Sequence, residues 1–266
     1  MSQFTHPDCQ RAMDAKEEHD AAERAAMIAV CLISSARMVS NLDSEYTSYS
    51  AQYLVENAGR KNESPQDPQP FTIQNCLAYL VDIACPKPET EQRAPDERRN
   101  TLTLKDCLEC ALRDGLPLAE HWTHLGCVQK TPPFASSIPR VPMKGELVEA
   151  ETSEEASKLL MLQPVGAKLH VFSPEFDLVR EEGFYEGPAG PESRYVGLRD
   201  VMVTGNGATK KGPFLEVKIV YKKKESFLKV STTRVLTSLP NDSGEESQLA
   251  EPTGLLVDFI IPRFSD

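Results

Sequence analysis

The sequence lacks the long apolar runs that a membrane protein needs. Its 266 residues contain no uninterrupted apolar stretch that approaches the roughly 20 residues of a transmembrane helix, and the mean hydropathy is -0.38. Residues 1–20 are charged and hold no apolar segment ahead of a small-residue cleavage site, so they do not resemble a secretory signal. We therefore expect a cytoplasmic or nuclear protein without a membrane partner.

The chain also has few basic residues for its acidic content. Lys and Arg number 29 against 40 Asp and Glu, which gives a formal net charge of -11 at pH 7. This charge repels polyanions and argues against a nucleic-acid partner. The seven cysteines are an odd number, and without an export signal we expect free thiols rather than a disulfide framework.

Helical periodicity dominates the first half of the chain. The apolar spacing predicts four helices, over residues 7–42, 48–59, 71–83 and 103–114. Gly59 and Gly115 follow the second and fourth of these helices, as C-capping glycines do. Thr103 or Asp106 is placed to cap the start of the fourth helix. The first half is therefore predicted to be a helical lobe.

The second half is predicted to be rich in strands. Four prolines within residues 131–142 exclude a regular helix and mark a boundary near residue 135. One helix is predicted at 153–162, residues 239–254 resemble an acidic linker, and residues 255–262 are a candidate edge strand or docking segment. Alternating apolar residues predict strands over 165–172, 195–207, 214–222 and 226–233. We predict an α+β protein with a helical lobe (1–135), a β-rich lobe (136–235) and a C-terminal extension (236–266).

Several segments resemble the papain-like cysteine peptidases. Residues 31–36 take the place of that family's Cys-Trp-Ala-Phe-Ser-Ala helix start, and residues 183–188 resemble its Gly-Ile-Tyr-Glu-Gly-Pro stretch. Residues 197–207 resemble its Leu-Asn-His-Ala-Val-x-Val-Val-Gly-Tyr-Gly strand. The resemblance spans residues 25–232 and is to divergent plant members without a propeptide. It implies a two-lobe fold in which a helical lobe and an antiparallel β-barrel-like lobe flank an active-site cleft.

The catalytic residues that the resemblance implies are mostly replaced. Peptide hydrolysis by this fold needs a cysteine nucleophile, a histidine base and an asparagine that orients the histidine. Cys31 stands at the nucleophile position, whereas the histidine falls on Arg199 and the asparagine on Ile219. The oxyanion-hole glutamine falls on Ala25, a loss worth on the order of 100-fold in rate. A guanidinium stays protonated and cannot pass a proton to the leaving amine.

Two further residues bear on residual chemistry. Cys31 lies within an unbroken apolar helical pattern, so we expect a buried and unreactive core thiol. His170 lies in a predicted strand, where a packed or surface histidine is expected rather than a substitute base.

The sequence also contains a possible zinc site and a basic region. Cys and His spacings that zinc accepts occur at Cys107, Cys110, His121, His124 and Cys127. The first two fall on the apolar face of a predicted helix, which favours core cysteines, and we expect no metal and no cofactor. Seven lysines form either a solvated strand face or a docking surface for an acidic partner: Lys210, Lys211, Lys218, Lys222, Lys223, Lys224 and Lys229.

Three functional hypotheses remain. The first is a papain-like pseudoenzyme that binds a protein or peptide in the inter-lobe cleft. The second is a weak cysteine-type hydrolase that uses Cys31. The third is a zinc-stabilised interaction module. The sequence does not determine the oligomeric state.

Overall fold

The structure, a computed structural model, describes residues 18–59, 74, 102–122, 137–179, 183–240 and 246–265. The chain forms two compact units. Unit 1 comprises Met1–Val30 and Thr47–Lys144, and unit 2 comprises Cys31–Tyr46 and Gly145–Asp266. In the described part of the chain, no helix is both long enough and apolar enough to cross a membrane.

Unit 1 is helical in its described part. Helix α1 (Ala21–Val39) runs from unit 1 into unit 2, and α2 (Ala51–Asn57), α3 (Leu104–Asp114) and a 3-10 turn (Ala119–His121) follow. The predicted helix at 48–59 is confirmed in part as α2. The predicted helix at 71–83 lies outside the described residues except for residue 74.

The boundaries of α3 follow from local side-chain chemistry. Thr103 Oγ1 accepts a hydrogen bond from the backbone N–H of Asp106, and the Asp106 carboxylate accepts one from the Thr103 N–H, which together form a capping box. Gly115 ends the helix at a φ of 70°. A Cβ at this position would lie 2.6 Å from the Val141 carbonyl oxygen, so only glycine fits without movement. The helix predicted at 103–114 is confirmed.

The core of unit 1 joins α2 to the 3-10 turn. Ser50 caps α2 and also donates to the Trp122 carbonyl oxygen at 2.7 Å. The rings of Tyr53 and Trp122 meet edge to face with centroids 5.1 Å apart. Trp122 Nε1 donates to Glu56 at 3.1 Å. Burial raises the pKa of the Tyr53 hydroxyl to about 12.

Unit 2 contains a mixed seven-stranded sheet in the order β1-β9-β2-β4-β5-β6-β3 and a separate hairpin of β7 and β8. Only the β3–β6 pairing is parallel among those described in the seven-stranded sheet. Helices α4 (Ser153–Leu160) and α5 (Glu175–Leu178) belong to the same unit. The strands are β1 (Gly145–Ala150), β2 (Val165–Ser173), β3 (Phe184–Tyr185), β4 (Arg194–Thr209), β5 (Gly212–Tyr221), β6 (Lys224–Ser231), β7 (Val235–Pro240), β8 (Glu246–Gly254) and β9 (Leu256–Phe264).

Strand alternation produces the core of unit 2. From Leu215 to Ile219 the buried residues of β5 alternate with partly exposed ones, as expected where one face of the strand is covered. Tyr185 is fully buried, and its hydroxyl accepts from the Phe172 N–H at 2.9 Å and donates to the His170 carbonyl at 3.1 Å. The predicted strands at 165–172, 195–207, 214–222 and 226–233 are confirmed as β2, β4, β5 and β6. The α+β fold class is confirmed with them.

The C-terminal segment differs from the expectation. Residues 255–262 were a candidate edge strand, but β9 lies inside the sheet between β1 and β2. Pro262 lies beyond Leu256–Ile260, the part of β9 that pairs with β2, and is opposite Leu147 of β1. Residues 239–254, expected to be a linker, contribute to the β7–β8 hairpin. These residues are mostly polar, so they lack the alternation of apolar and polar residues from which strands are predicted.

The interior position of β9 leads to a testable prediction. A variant that terminates after Gly254 loses Leu256, Phe259, Ile260 and Ile261, all of which are buried. At about 2 kcal/mol for each buried side chain, this loss approaches the whole stability of a domain. We expect unit 2 to lose its protection from limited proteolysis. Termination after Phe264 is the control, and equal protection in both variants would show that β9 is dispensable.

Candidate functional site

Helix α1 begins ten residues before Cys31. The Asp20 carboxylate accepts from the Glu23 N–H at 2.8 Å, and the Glu23 carboxylate accepts from the Asp20 N–H at 3.1 Å. This capping arrangement starts the helix at Ala21. Cys31 is therefore the eleventh of nineteen helical residues, and its thiol lies far from the positive end of the helix dipole.

Cys31 is partly exposed, so the expectation of a buried core thiol is wrong. The neighbouring Leu32 and Ile33 are buried, which shows that Cys31 lies at the margin of the apolar face of the helix. Lys218 Nζ lies 3.9 Å from Cys31 Sγ. The apolar run around Cys31 did not reveal this polar neighbour, because Lys218 is 187 residues away in the chain.

Cys31, Lys218 and Tyr46 form a polar cluster within unit 2. Burial of the Tyr46 hydroxyl, followed by the neighbouring Cys31 thiol, raises the pKa of Tyr46. Burial tends to lower the pKa of Lys218, but the hydrogen bond to Glu225 at 2.9 Å and the Cys31 thiol outweigh it, so this pKa is raised. Lys218 therefore stays protonated near neutral pH. It can donate to the thiol and cannot accept its proton.

Arg199 lies on β4 opposite Leu169 of β2. Its guanidinium carbon is 5.0 Å from the centroid of the Tyr221 ring, a cation–π contact. Ile219 is fully buried on β5 opposite Ser226 of β6. Ile219 therefore packs in the core, and its side chain has no group that could orient a catalytic base.

Ala25 lies within α1 and is completely buried. Its methyl side chain has no hydrogen-bond donor. The residue six positions before Cys31 thus belongs to the same helix, whereas an oxyanion donor acts beside the nucleophile from a position that the substrate can reach.

His170 is packed, as the sequence indicated. It is buried on β2, and its Nδ1 lies 3.0 Å from the Tyr195 hydroxyl. Burial lowers the pKa of His170, with a smaller opposing effect from Asp258. The imidazole is therefore neutral at pH 7 and is held in the sheet by Tyr195.

The residues of the possible zinc site have different environments. Cys107 and Cys110 are buried on α3, and burial, followed by Asp114, raises the pKa of the Cys110 thiol to about 12. His121 is exposed in the 3-10 turn, and His124 and Cys127 lie outside the described residues. In the ranges that the structure describes, no group of three or more metal-ligating side chains is assembled.

The lysines of the basic region lie at both ends and along one face of the β5–β6 hairpin. Lys211 is paired with Glu186 at 2.9 Å, and Lys222 is paired with Asp177 at 3.3 Å. Lys229 Nζ lies 5.7 Å from the centroid of the Phe214 ring. Most of this region is exposed, in agreement with a solvated strand face.

Comparison with known sequences identifies a plant protein family. A family profile described as HEAT-INDUCED TAS1 TARGET N-terminal domain matches residues 2–144. Protein HEAT-INDUCED TAS1 TARGET 1 of Arabidopsis thaliana is 52% identical over 263 residues, which cover 98% of this chain and 94% of that protein. Protein HEAT-INDUCED TAS1 TARGET 4 of the same plant is 51% identical with the same coverage of both chains.

Comparison with solved structures identifies the fold. The bromelain protease from Ananas comosus matches 97% of both chains with a TM-score of 0.57 and 11% identity. A cysteine protease from Carica candamarcensis matches 97% of both chains with a TM-score of 0.55 and 14% identity. The papain-like resemblance is therefore confirmed at the level of the fold, while the sequence similarity is to a different family.

The environment of His170 predicts a pH effect on stability. Because its pKa is lower in the folded chain than the ordinary value of about 6.5, the unfolded chain binds protons more readily. The contribution of His170 to the free energy of unfolding is therefore fully present above about pH 6.5. It decreases as the pH drops from there toward the lower folded pKa, by up to about 1.4 kcal/mol per pH unit. We expect His170→Gln to flatten the urea stability profile between pH 7 and 5. Parallel profiles for the two proteins would contradict this account.

Proposed function

The chain belongs to the HEAT-INDUCED TAS1 TARGET family, and we propose that its papain-like fold is a scaffold that binds a protein or peptide without hydrolysing it. The observation that carries this proposal is the position of Cys31 in the interior of α1. A peptidase of this fold needs its thiolate at a helix N-terminus, where the dipole and a neighbouring imidazolium stabilise the negative charge. In this chain the Asp20 and Glu23 carboxylates lie at the start of the helix, where Asp20 accepts from the Glu23 N–H and Glu23 accepts from the Asp20 N–H.

The residues that replace the catalytic base and its orienting partner support the same proposal. A guanidinium cannot serve as a general base, and the Arg199 guanidinium contacts the Tyr221 ring. Ile219 contributes to the apolar core. Each residue therefore has a structural role that does not require catalysis. A fold that is shared with peptidases does not by itself carry their chemistry.

The contact between Cys31 and Lys218 favours the alternative, a weak cysteine-type hydrolase. A nearby ammonium group stabilises a thiolate and could support attack on an activated ester. Turnover of a peptide also needs an acid that protonates the leaving amine and is then regenerated as a base. Lys218 is hydrogen-bonded to Glu225 and stays protonated, so it is unsuited to the second step.

The names of the relatives describe them as heat-induced and as targets of TAS1. We extend heat-induced expression to this chain as part of the proposal. A binding protein with this expression would act when other proteins lose stability.

Peptidase assays test the proposal. We expect wild type, Cys31→Ala and Arg199→His to give no cleavage of fluorogenic peptides above the background. We expect the Arg199→His, Ile219→Asn double variant to be inactive as well, because these substitutions leave the helix start unchanged. The buried amide in this variant should cost roughly 1–3 kcal/mol, so circular dichroism must first show that it is folded.

Labelling with a thiol-directed probe for papain-family enzymes separates the two functions. We expect wild type to remain unlabelled by the probe while iodoacetamide alkylates the partly exposed Cys31. Turnover by wild type that Cys31→Ala abolishes would overturn the proposal and establish the hydrolase.

A further inference from the structure

A cavity of about 410 Å³ lies within unit 2, separate from the cluster of Cys31, Lys218 and Tyr46. The residues that line it come from the loop after β1, from β5, from the segment between β6 and β7, from the end of β8 and from the start of β9. Small-molecule sites in proteins have volumes of about 300–1,000 Å³. The cavity is therefore large enough for a small ligand.

Two side chains of opposite charge line this cavity, and no ion pair joins them. Arg234 and Glu151 are both exposed. Arg234 Nη2 donates to the Pro188 carbonyl oxygen at 2.6 Å, and no carboxylate among the described residues pairs with the guanidinium. The Glu151 carboxylate likewise has no partner within the described ranges. A guanidinium has five N–H donors, so Arg234 retains donors for a ligand.

Local hydrogen bonds hold both charged residues in place. The Glu151 N–H donates to the Glu155 carboxylate at 3.0 Å, and the Glu155 N–H donates to Thr152 Oγ1 at 3.2 Å at the start of α4. The bond to Pro188 fixes the Arg234 side chain in the same way. Groups that are already positioned lose less entropy when a ligand binds.

Apolar side chains form much of the remaining lining. Leu215, Leu255 and Phe259 are buried and line the cavity, and Val235 lines it although 59% of its surface is exposed. Thr253 adds a hydroxyl group. A mostly apolar lining with a few polar groups that fix orientation is typical of ligand sites. Covering Val235 would also remove apolar surface from water.

We propose that this cavity binds a short apolar peptide with both ends free, of the size of a dipeptide. The α-carboxylate pairs with the Arg234 guanidinium through two parallel hydrogen bonds, and the α-ammonium pairs with Glu151. A ligand with one charge would satisfy only one of these two residues, so a zwitterion fits better than an anion or a cation. This inference goes beyond the proposed scaffold function and does not rest on it.

Isothermal titration calorimetry of the full chain with leucyl-leucine tests the proposal. Two derivatives each remove one charge: N-acetyl-leucyl-leucine lacks the ammonium group, and leucyl-leucine amide lacks the carboxylate. We expect leucyl-leucine to bind, and each derivative to have a dissociation constant about tenfold higher, because each loses one charged hydrogen-bonded pair.

Two variants identify the residues that recognise each end. Arg234→Gln should weaken binding of leucyl-leucine about tenfold and leave binding of the amide unchanged. Glu151→Gln should weaken binding of leucyl-leucine and leave binding of the N-acetyl derivative unchanged. Partial unfolding would weaken binding of every ligand, so this crossed pattern separates recognition from loss of structure.

Glu192→Gln and Arg194→Gln are the matched controls. Both residues are exposed and lie outside the cavity, so each variant removes one charge of the same sign elsewhere in unit 2. We expect both to bind all three ligands as wild type does. Equal weakening in the control variants would show that net charge alone acts, and the proposal would be wrong.

Two further results would overturn the proposal. The first is the absence of leucyl-leucine binding by wild type. The second is equal affinity of wild type for leucyl-leucine and both derivatives, which would show that neither charged end is recognised. Neither result affects the peptidase assays, so failure of this inference is distinguishable from failure of the proposed scaffold function.

Discussion

The pairing of β4 with β5 determines where the important side chains of unit 2 lie. Met202 pairs with Lys218 and Val203 with Val217, so Val217 and Ile219 point into the core while Lys218 points to the opposite face. A shift of one residue would reverse all of these directions and bury the Lys218 ammonium. The burial of Val217 and Ile219 thus holds the register that brings Lys218 to Cys31 and Tyr221 to Arg199. Ile219, on the same strand, belongs to this buried core.

The position at which α1 starts is the second constraint, and it determines the environment of the Cys31 thiol. Asp20 and Glu23 form a reciprocal cap through the N–H groups of Glu23 and Asp20, and the alanine-rich run that follows continues the helix without a break. Cys31 consequently lies two to three turns from the helix end, beside Lys218 and Tyr46. This environment places a donor, the Lys218 ammonium, near the thiol. Both constraints agree with the proposed scaffold function, in which the papain-like fold binds without hydrolysing.

Much of the fold could be predicted because its signals are local. The cap at Thr103, the glycine after α3 and the alternation in β2, β4, β5 and β6 each depend on residues close together in the chain. Other elements could not be predicted. The β7–β8 hairpin has a polar, proline-containing sequence, and the interior position of β9 depends on pairing with β1 more than a hundred residues away. The environment of Cys31 was predicted incorrectly for the same reason, because Lys218 and Tyr46 approach it from other elements.

By itself, the sequence determined which chemical groups are present: Cys31, Arg199 and Ile219 at the positions given by the papain-like resemblance, an acidic chain with a lysine-rich segment, and the periodicities of an α+β fold. These properties follow from composition and from short-range spacing. Only the tertiary structure decided which groups meet. It placed Cys31 beside Lys218, Arg199 and Lys222 around Tyr221, and Glu151 and Arg234 in the lining of one cavity. The physical reason is that burial of apolar side chains from distant parts of the chain sets the strand register, while local capping sets the helix start. A shift of one residue in the register or in the helix start would bring different polar groups together.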